Sequence, residues 1–261
     1  MIIQYDEKAN LQKQLDKLYN TELNKNKLND VFTIEQQKSL SAPFIINIPE
    51  NYNNAQIKML YVGKETNKWW GTLEDFIKRE NSINILKDRY SAELFGGKVL
   101  IPSDKTKQYK AEPNWNNSFF VEYKKIRKHL FNDEKGSIIW SNLLKFDNQK
   151  SKSYSRNTIN NKSVVDISKE IFLKELEILK PDYIIFPVSY TYDKIIKYFF
   201  KNIKTIKIFE SKSLWKFKIG NIICYRTWHP STIRYNANKN KLEYYKDIIE
   251  DIKIENKNIY K

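Results

Sequence analysis

Cysteine occurs once in this chain of 261 residues, at Cys224, and histidine only twice. A single thiol excludes an internal disulfide and a four-cysteine iron–sulfur cluster. One cysteine with two histidines is also too few ligands for a structural zinc site, so no metal and no other cofactor is expected. Glycine and proline number only six and seven, and no Gly/Ser/Pro-rich linker divides the chain, which points to one domain over 1–261. No apolar run approaches the roughly 20 residues that span a bilayer, and no signal-peptide pattern opens the sequence. A cytoplasmic protein with no membrane partner is the expectation. No coiled-coil repeat is visible, and a monomer is expected. No Gly-x-Gly-x-x-Gly or Walker loop follows any apolar run, which disfavours a nucleotide-binding enzyme of the Rossmann type. Acidic residues are in the minority, 31 against 46 Lys and Arg, for a net charge of +15. Such a balance most often serves a phosphate backbone, because each neutralised phosphate releases a counterion. The plainer alternative is that a Lys-, Asn- and Ile-rich composition reflects an AT-rich genome, with the lysines spread over a solvated face.

What is present is an alternation of apolar runs and amphipathic stretches. Leu11, Leu15, Leu18 and Tyr19 are spaced for one face of a helix, and Phe44 to Ile48 reads as extended; together they make 1–50 a helical and extended extension without chemistry of its own. Ile57 to Val62 reads as a strand. Thr72 to Leu86 reads as a helix with Thr72 as its cap and Glu74 and Asp75 in its first turn. Regularity then fails, and 88–117 reads as a long aromatic loop insertion, ordered because of its aromatic content. Further helices are expected over Ser118 to Phe131, from Asp166 or Ser168 to Leu179, around Ile195 to Phe200, and through Leu242, Tyr245, Ile248 and Ile252. Strands are expected over Ser137 to Phe146, Tyr183 to Val188, Thr205 to Phe209, and as a hairpin of Leu214 to Ile219 and Ile222 to Tyr225 about Gly220-Asn221. This strand–helix–strand rhythm is that of a mainly parallel sheet with helices on its faces.

Two of the apolar runs end in polar loops rich in reactive groups. The first runs Lys58-Met59-Leu60-Tyr61-Val62-Gly63-Lys64-Glu65-Thr66-Asn67-Lys68-Trp69-Trp70, with Gly63 placed to turn the chain out of a sheet. The second runs Ile222-Ile223-Cys224-Tyr225-Arg226-Thr227-Trp228-His229-Pro230-Ser231-Thr232-Ile233-Arg234 and carries one of the two histidines. A third run, Ile138 to Phe146, has Asn142 at its middle. Ligand sites of open α/β sheets lie at the carboxyl ends of strands, where both loops fall. An ordinary strand-to-helix connection with a solvated Glu65, and an Asn142 that only ends a strand, are the bland readings of the same residues. The polar stretch 147–163, with Lys150, Lys152 and Arg156, reads either as a phosphate-contacting loop or as plain surface.

Taken together, a strand ending in Gly-Lys-Glu-Thr-Asn and a later one ending in His-Pro-Ser resemble the two active-site motifs of the uracil-DNA glycosylase superfamily, typically Gly-Gln-Asp-Pro-Tyr and His-Pro-Ser. The resemblance covers about residues 57 to 235. It implies a three-layer α/β/α fold about a central, mainly parallel sheet, DNA as partner, and a monofunctional hydrolase that flips a base and cuts its N-glycosidic bond to leave an abasic site. Glu65 stands where the family's water-activating Asp stands, and His229 where its donor to the departing base stands. Gly63, Asn67 and Asn142 fall at base-binding positions, with an amide suited to a Watson–Crick edge. Trp69, Trp115, Phe119 and Phe120 are candidates for the stacking platform. Ser189, Ser231, Ile233 and Arg234 fall at DNA-binding positions, Ile233 as the apolar wedge that fills the gap left by the flipped base. The departures are Lys64 for Gln, Thr66 for Pro, and Asn67 where uracil-specific members place a Tyr that shuts out a C5 methyl. An open C5 side implies a C5-modified cytosine, hydroxymethylated or glucosylated, and base removal from phage DNA as antiviral defence. Uracil repair and a catalytically silent DNA-binding member of the fold are the alternatives.

Overall fold

The computed structural model describes residues 2–67, 69–102, 104, 106–111, 116–134, 137–149, 158–233 and 238–259, residues 2–8 by backbone alone. In chain order the elements are α1 (Ile2–Glu22), α2 (Lys25–Val31), α3 (Ile34–Ser39), β1 (Met59–Gly63), α4 (Leu73–Lys78), α5 (Ser82–Phe95), β2 (Gly97–Leu100), β3 (Gln108–Ala111) and α6 (Ser118–Leu130). They continue with β4 (Ile138–Asn142), α7 (Lys162–Leu179), β5 (Tyr183–Pro187), a 3-10 turn (Tyr190–Tyr192), α8 (Asp193–Phe199), β6 (Ile203–Glu210), β7 (Leu214–Ile219), β8 (Ile222–Thr227) and α9 (Glu243–Glu255). Two compact units result, Met1–Ile48 with Lys64–Asn114 and Ser141–Leu179, and Pro49–Gly63 with Trp115–Trp140 and Lys180–Lys261. Among the described residues no helix is long and apolar enough to cross a membrane.

The protein is α/β, with a mainly parallel sheet of six strands in the order β4-β1-β5-β8-β7-β6. β1 and β8 both run parallel to β5, so all three deliver their carboxyl ends to one edge of the sheet. β1 and β5 are buried at every position, as strands covered on both faces must be, which explains their unbroken apolar sequence. β7 turns back antiparallel to β8 through Gly220, whose φ of +57° suits the tight turn. Alternation along β7 and β8 sends neighbouring side chains to opposite faces. Lys216 and Tyr225 reach Asp251 of α9, each at 2.6 Å, while Arg226 reaches Asp193 of α8 at 2.7 Å. Helices therefore cover both faces. β6 also pairs antiparallel, among the described residues with β7 alone, and leaves Ile206 and Ile208 exposed along the sheet's edge.

The first unit is mainly helical, and it differs from the sequence expectation in three places. The helix expected over Thr72 to Leu86 is two helices. Thr72 and Asp75 close a capping box on α4, but the Arg79 guanidinium leaves the helix to donate to the carbonyls of Ile101 and Pro102 at 3.0 and 2.6 Å. Asn81, at φ 55°, then restarts the chain as α5. The aromatic loop expected over 88–117 is likewise corrected, since α5 continues to Phe95 and is followed by the β2–β3 hairpin. Asp104 closes that hairpin by accepting the N–H groups of Thr106 and Lys107 at 2.9 and 3.1 Å, and Trp70 Nε1 donates to the Leu100 carbonyl at 2.6 Å. Further on, α7 begins ahead of Asp166 and Ser168, because Asn161 accepts the Val164 N–H at 3.2 Å and caps it.

Candidate functional site

In the second unit the site grows from the carboxyl ends of β5 and β8. Beyond β5 the chain enters Ser189 at φ 66°, ψ 162°, a conformation a side chain rarely adopts. Two hydrogen bonds hold it there: its N–H donates to the Thr227 carbonyl at 2.9 Å, and its hydroxyl accepts the His229 N–H at 3.0 Å. The half-buried His229 side chain is fixed in turn by Ser231. The Ser231 N–H lies 3.2 Å from Nδ1. An amide can only donate, so Nδ1 accepts; the Ser231 hydroxyl, 2.6 Å from the same nitrogen, donates as well. The proton of the neutral imidazole therefore sits on Nε2. The ring stacks on Phe119, centroids 5.9 Å apart and planes 24° apart. Tyr61 of β1 backs Phe119 at 4.6 Å, and the Tyr245 hydroxyl of α9 holds the Trp228 carbonyl at 2.6 Å. Ile233, beyond this turn, is 90% exposed. Phe120 instead packs edge-on against Trp140 at 5.1 Å.

In the first unit the segment that follows Gly63 is tied to the one that follows β4, the Leu144 N–H donating to the Lys64 carbonyl at 2.8 Å. Gly63 ends β1 in extended conformation, and the positive φ of this stretch falls instead at Gly71, at 53°. Lys64 and Glu65 are half-buried and Asn67 is exposed. Burial pulls the Lys64 ammonium below the usual lysine range, against the opposing pull of Glu65. Thr66 and Asn142 are buried, and the Thr66 hydroxyl and the Asn142 amide nitrogen find no hydrogen-bond partner among the described residues. A buried amide left in this state costs about 1–3 kcal/mol unless something else accepts from it. Trp69 is packed between Phe44, at 5.2 Å, and the Arg89 guanidinium, at 5.1 Å, so its ring serves the core of this unit.

Sequence reasoning missed a fully buried ion pair of the first unit. Lys145 is fully buried and pairs with Glu175 at 2.6 Å. Ser141 accepts from its ammonium at 3.1 Å, and the Tyr19 hydroxyl donates to the other Glu175 oxygen at 2.9 Å. The available signal was a lysine set inside the apolar run Leu143 to Phe146. Trp115, Arg234, Lys150, Lys152 and Arg156 lie outside the described residues. Compared with known proteins, the chain matches no family model and no curated sequence.

Proposed function

We propose that the protein is a DNA glycosylase that flips a pyrimidine and hydrolyses its N-glycosidic bond, acting on a C5-modified cytosine of phage DNA as antiviral defence. The observation that carries this reading is the His229 imidazole at the carboxyl end of β8, its proton on Nε2 and its face on Phe119. Such a fixed donor suits the negative charge that gathers on a departing base, and a flat aromatic neighbour suits a flipped one. In the proposed reaction, water adds its oxygen to C1′ of the sugar and gives a proton to Glu65. The bond between C1′ and the base nitrogen breaks, its electron pair leaves with the base, and Nε2–H hydrogen-bonds the anion as it forms.

The other residues take roles that follow from their surroundings. The Asn142 amide nitrogen, without an acceptor among the described residues, suits the O2 or N3 acceptor of cytosine. Gly63 lets the backbone approach the base, and the exposed Asn67 leaves the C5 side open. Ile233, exposed to 90%, is an apolar wedge for the vacated stack. Ser189 and Ser231 hold the turn that would meet the backbone of the strand.

The test is incubation with matched DNAs carrying uracil, cytosine, hydroxymethylcytosine or glucosylated hydroxymethylcytosine, followed by alkali cleavage at abasic sites. Breaks in a modified-cytosine DNA alone are the expected result. Breaks in the uracil DNA alone would replace the open-pocket reading with repair. No breaks in any, with tight salt-sensitive binding, would make the protein a silent DNA-binding member of the fold.

A further inference from the structure

The second unit carries a cleft that the glycosylase reading does not use. α8, with seven residues, is about 10 Å long, whereas β6, with eight, extends about 26 Å. The helix is too short to cover the strand it leads into. What stays open is a cleft of about 570 Å³ between α8, the exposed face of β6 and the β6–β7 turn, a volume typical of small-molecule sites.

Its floor is rigid and neutral. The Arg226 guanidinium meets Asp193 at 2.7 and 3.1 Å and the Lys212 carbonyl at 2.7 Å, and Trp215 stacks on Phe217 at 4.1 Å. The one lining carboxylate is thus already matched by a cation. Its rim is basic: Lys197, Lys201 and Lys212 line it and are exposed, and none of the three joins an ion pair among the described residues. The rim is also aromatic. Tyr190 is 39% exposed, with the Lys212 ammonium 5.5 Å above its ring. Three exposed ammonium groups lining the cleft, Lys212 over Tyr190 and Lys197 5.8 Å from the Trp215 ring, suit a ligand with a phosphate and a flat base. The cleft is also joined to the His229 turn. Tyr190 follows Ser189, which accepts the His229 N–H, and its ring meets Trp228 at 5.6 Å.

We propose that this cleft holds one nucleotide of single-stranded DNA, its phosphate among Lys197, Lys201 and Lys212 and its base against Tyr190. The strand would be the one continuing from the nucleotide at His229. That the strand is DNA rests on the glycosylase reading; the phosphate and base chemistry of the cleft does not.

The experiment uses unmodified, dye-labelled (dT)8, so that no base excision is involved, and measures anisotropy across a salt series. The double variant Lys197→Glu/Lys212→Glu is compared with Lys204→Glu/Lys207→Glu, an equal charge change on β6 outside the cleft lining. The cleft pair is expected to weaken binding about tenfold or more and to lower the salt slope by about 0.7 for each phosphate that is no longer neutralised. The outside pair should cost markedly less. Tyr190→Ala, which removes no charge, is expected to weaken binding about tenfold by removing the stacking surface, with circular dichroism checking the fold of every variant. Equal losses from the two lysine pairs, or no loss from the cleft pair and Tyr190→Ala, would overturn the proposal. Thymidine 5′-monophosphate that competes with the affinity of the oligonucleotide would also overturn it, in favour of a free nucleotide. A failed glycosylase reading would show only in the abasic-site assay.

Discussion

At the scale of single residues, the candidate site turns on which nitrogen of His229 carries the proton. The Ser231 N–H decides this, since an amide can only donate, and the Ser231 hydroxyl, which could act either way, then donates to the same nitrogen. His229→Ala is expected to lower base release by about 10²- to 10³-fold, the loss usual for one preorganised donor to a developing anion, with circular dichroism unchanged. Ser231→Ala keeps the N–H and removes only the hydroxyl, so its loss should stay within about tenfold. An equal loss in both variants would mean that His229 acts by holding the turn rather than by donating. The His-Pro-Ser triplet made both residues legible in the sequence, because the turn is local. Lys145 was not legible as the partner of Glu175 and, through it, of Tyr19, since a buried ion pair joins positions far apart along the chain. Which aromatic ring meets His229 was also hidden. Phe119 and Phe120 are equivalent in a sequence, and only the packing of α6 on Tyr61 separates them.

At the scale of elements, most strands and helices were legible from their period, and the misses fall where distant chain intervenes. The Thr72 cap and the strand before it are local signals. The break between α4 and α5 depends on Arg79 finding carbonyls some twenty residues further on. The same hairpin constrains Gly71. Its φ is +53°, and a Cβ added there would stand 2.8 Å from Cβ of Pro102. Gly71→Ala is therefore expected to destabilise the protein by at least about 1–2 kcal/mol, the ordinary cost of a side chain in left-handed backbone. Urea unfolding measures it, and a variant as stable as the parent would show that the left-handed backbone at Gly71 is not required by the fold. The helical start of α7 was misplaced because Asp166 and Ser168 look like caps but sit inside the helix. Ser168 instead accepts the Lys145 N–H at 2.9 Å.

At the scale of the whole molecule, the surplus of base is broken locally by built ion pairs. Glu22, almost fully buried, receives Lys174 at 2.6 Å and Lys27 on its other oxygen. Burial alone would raise its carboxyl, but the two lysines overcome this and hold it below the ordinary value near 4.5. A folded value that is depressed contributes stability above the unfolded value and loses it as pH falls through the folded one. Glu22→Gln should thus be less stable than the parent at pH 7, and the difference should begin to narrow below about pH 4.5 and close as pH falls through the folded value. Urea titrations at a series of pH values below 7 check this; a gap that does not narrow as pH falls below about 4.5 would place the contribution in packing rather than charge. The same charge guards the sheet. Among the described residues β6 offers a backbone edge that no strand pairs, with Ile206 and Ile208 exposed and Lys204 and Lys207 among them. Ammonium groups along such an edge keep a second chain from adding to it. Chemistry that consumes amines, such as labelling with succinimidyl dyes or fixation with aldehydes, would remove that repulsion, so samples handled this way should clump where untreated protein stays dispersed.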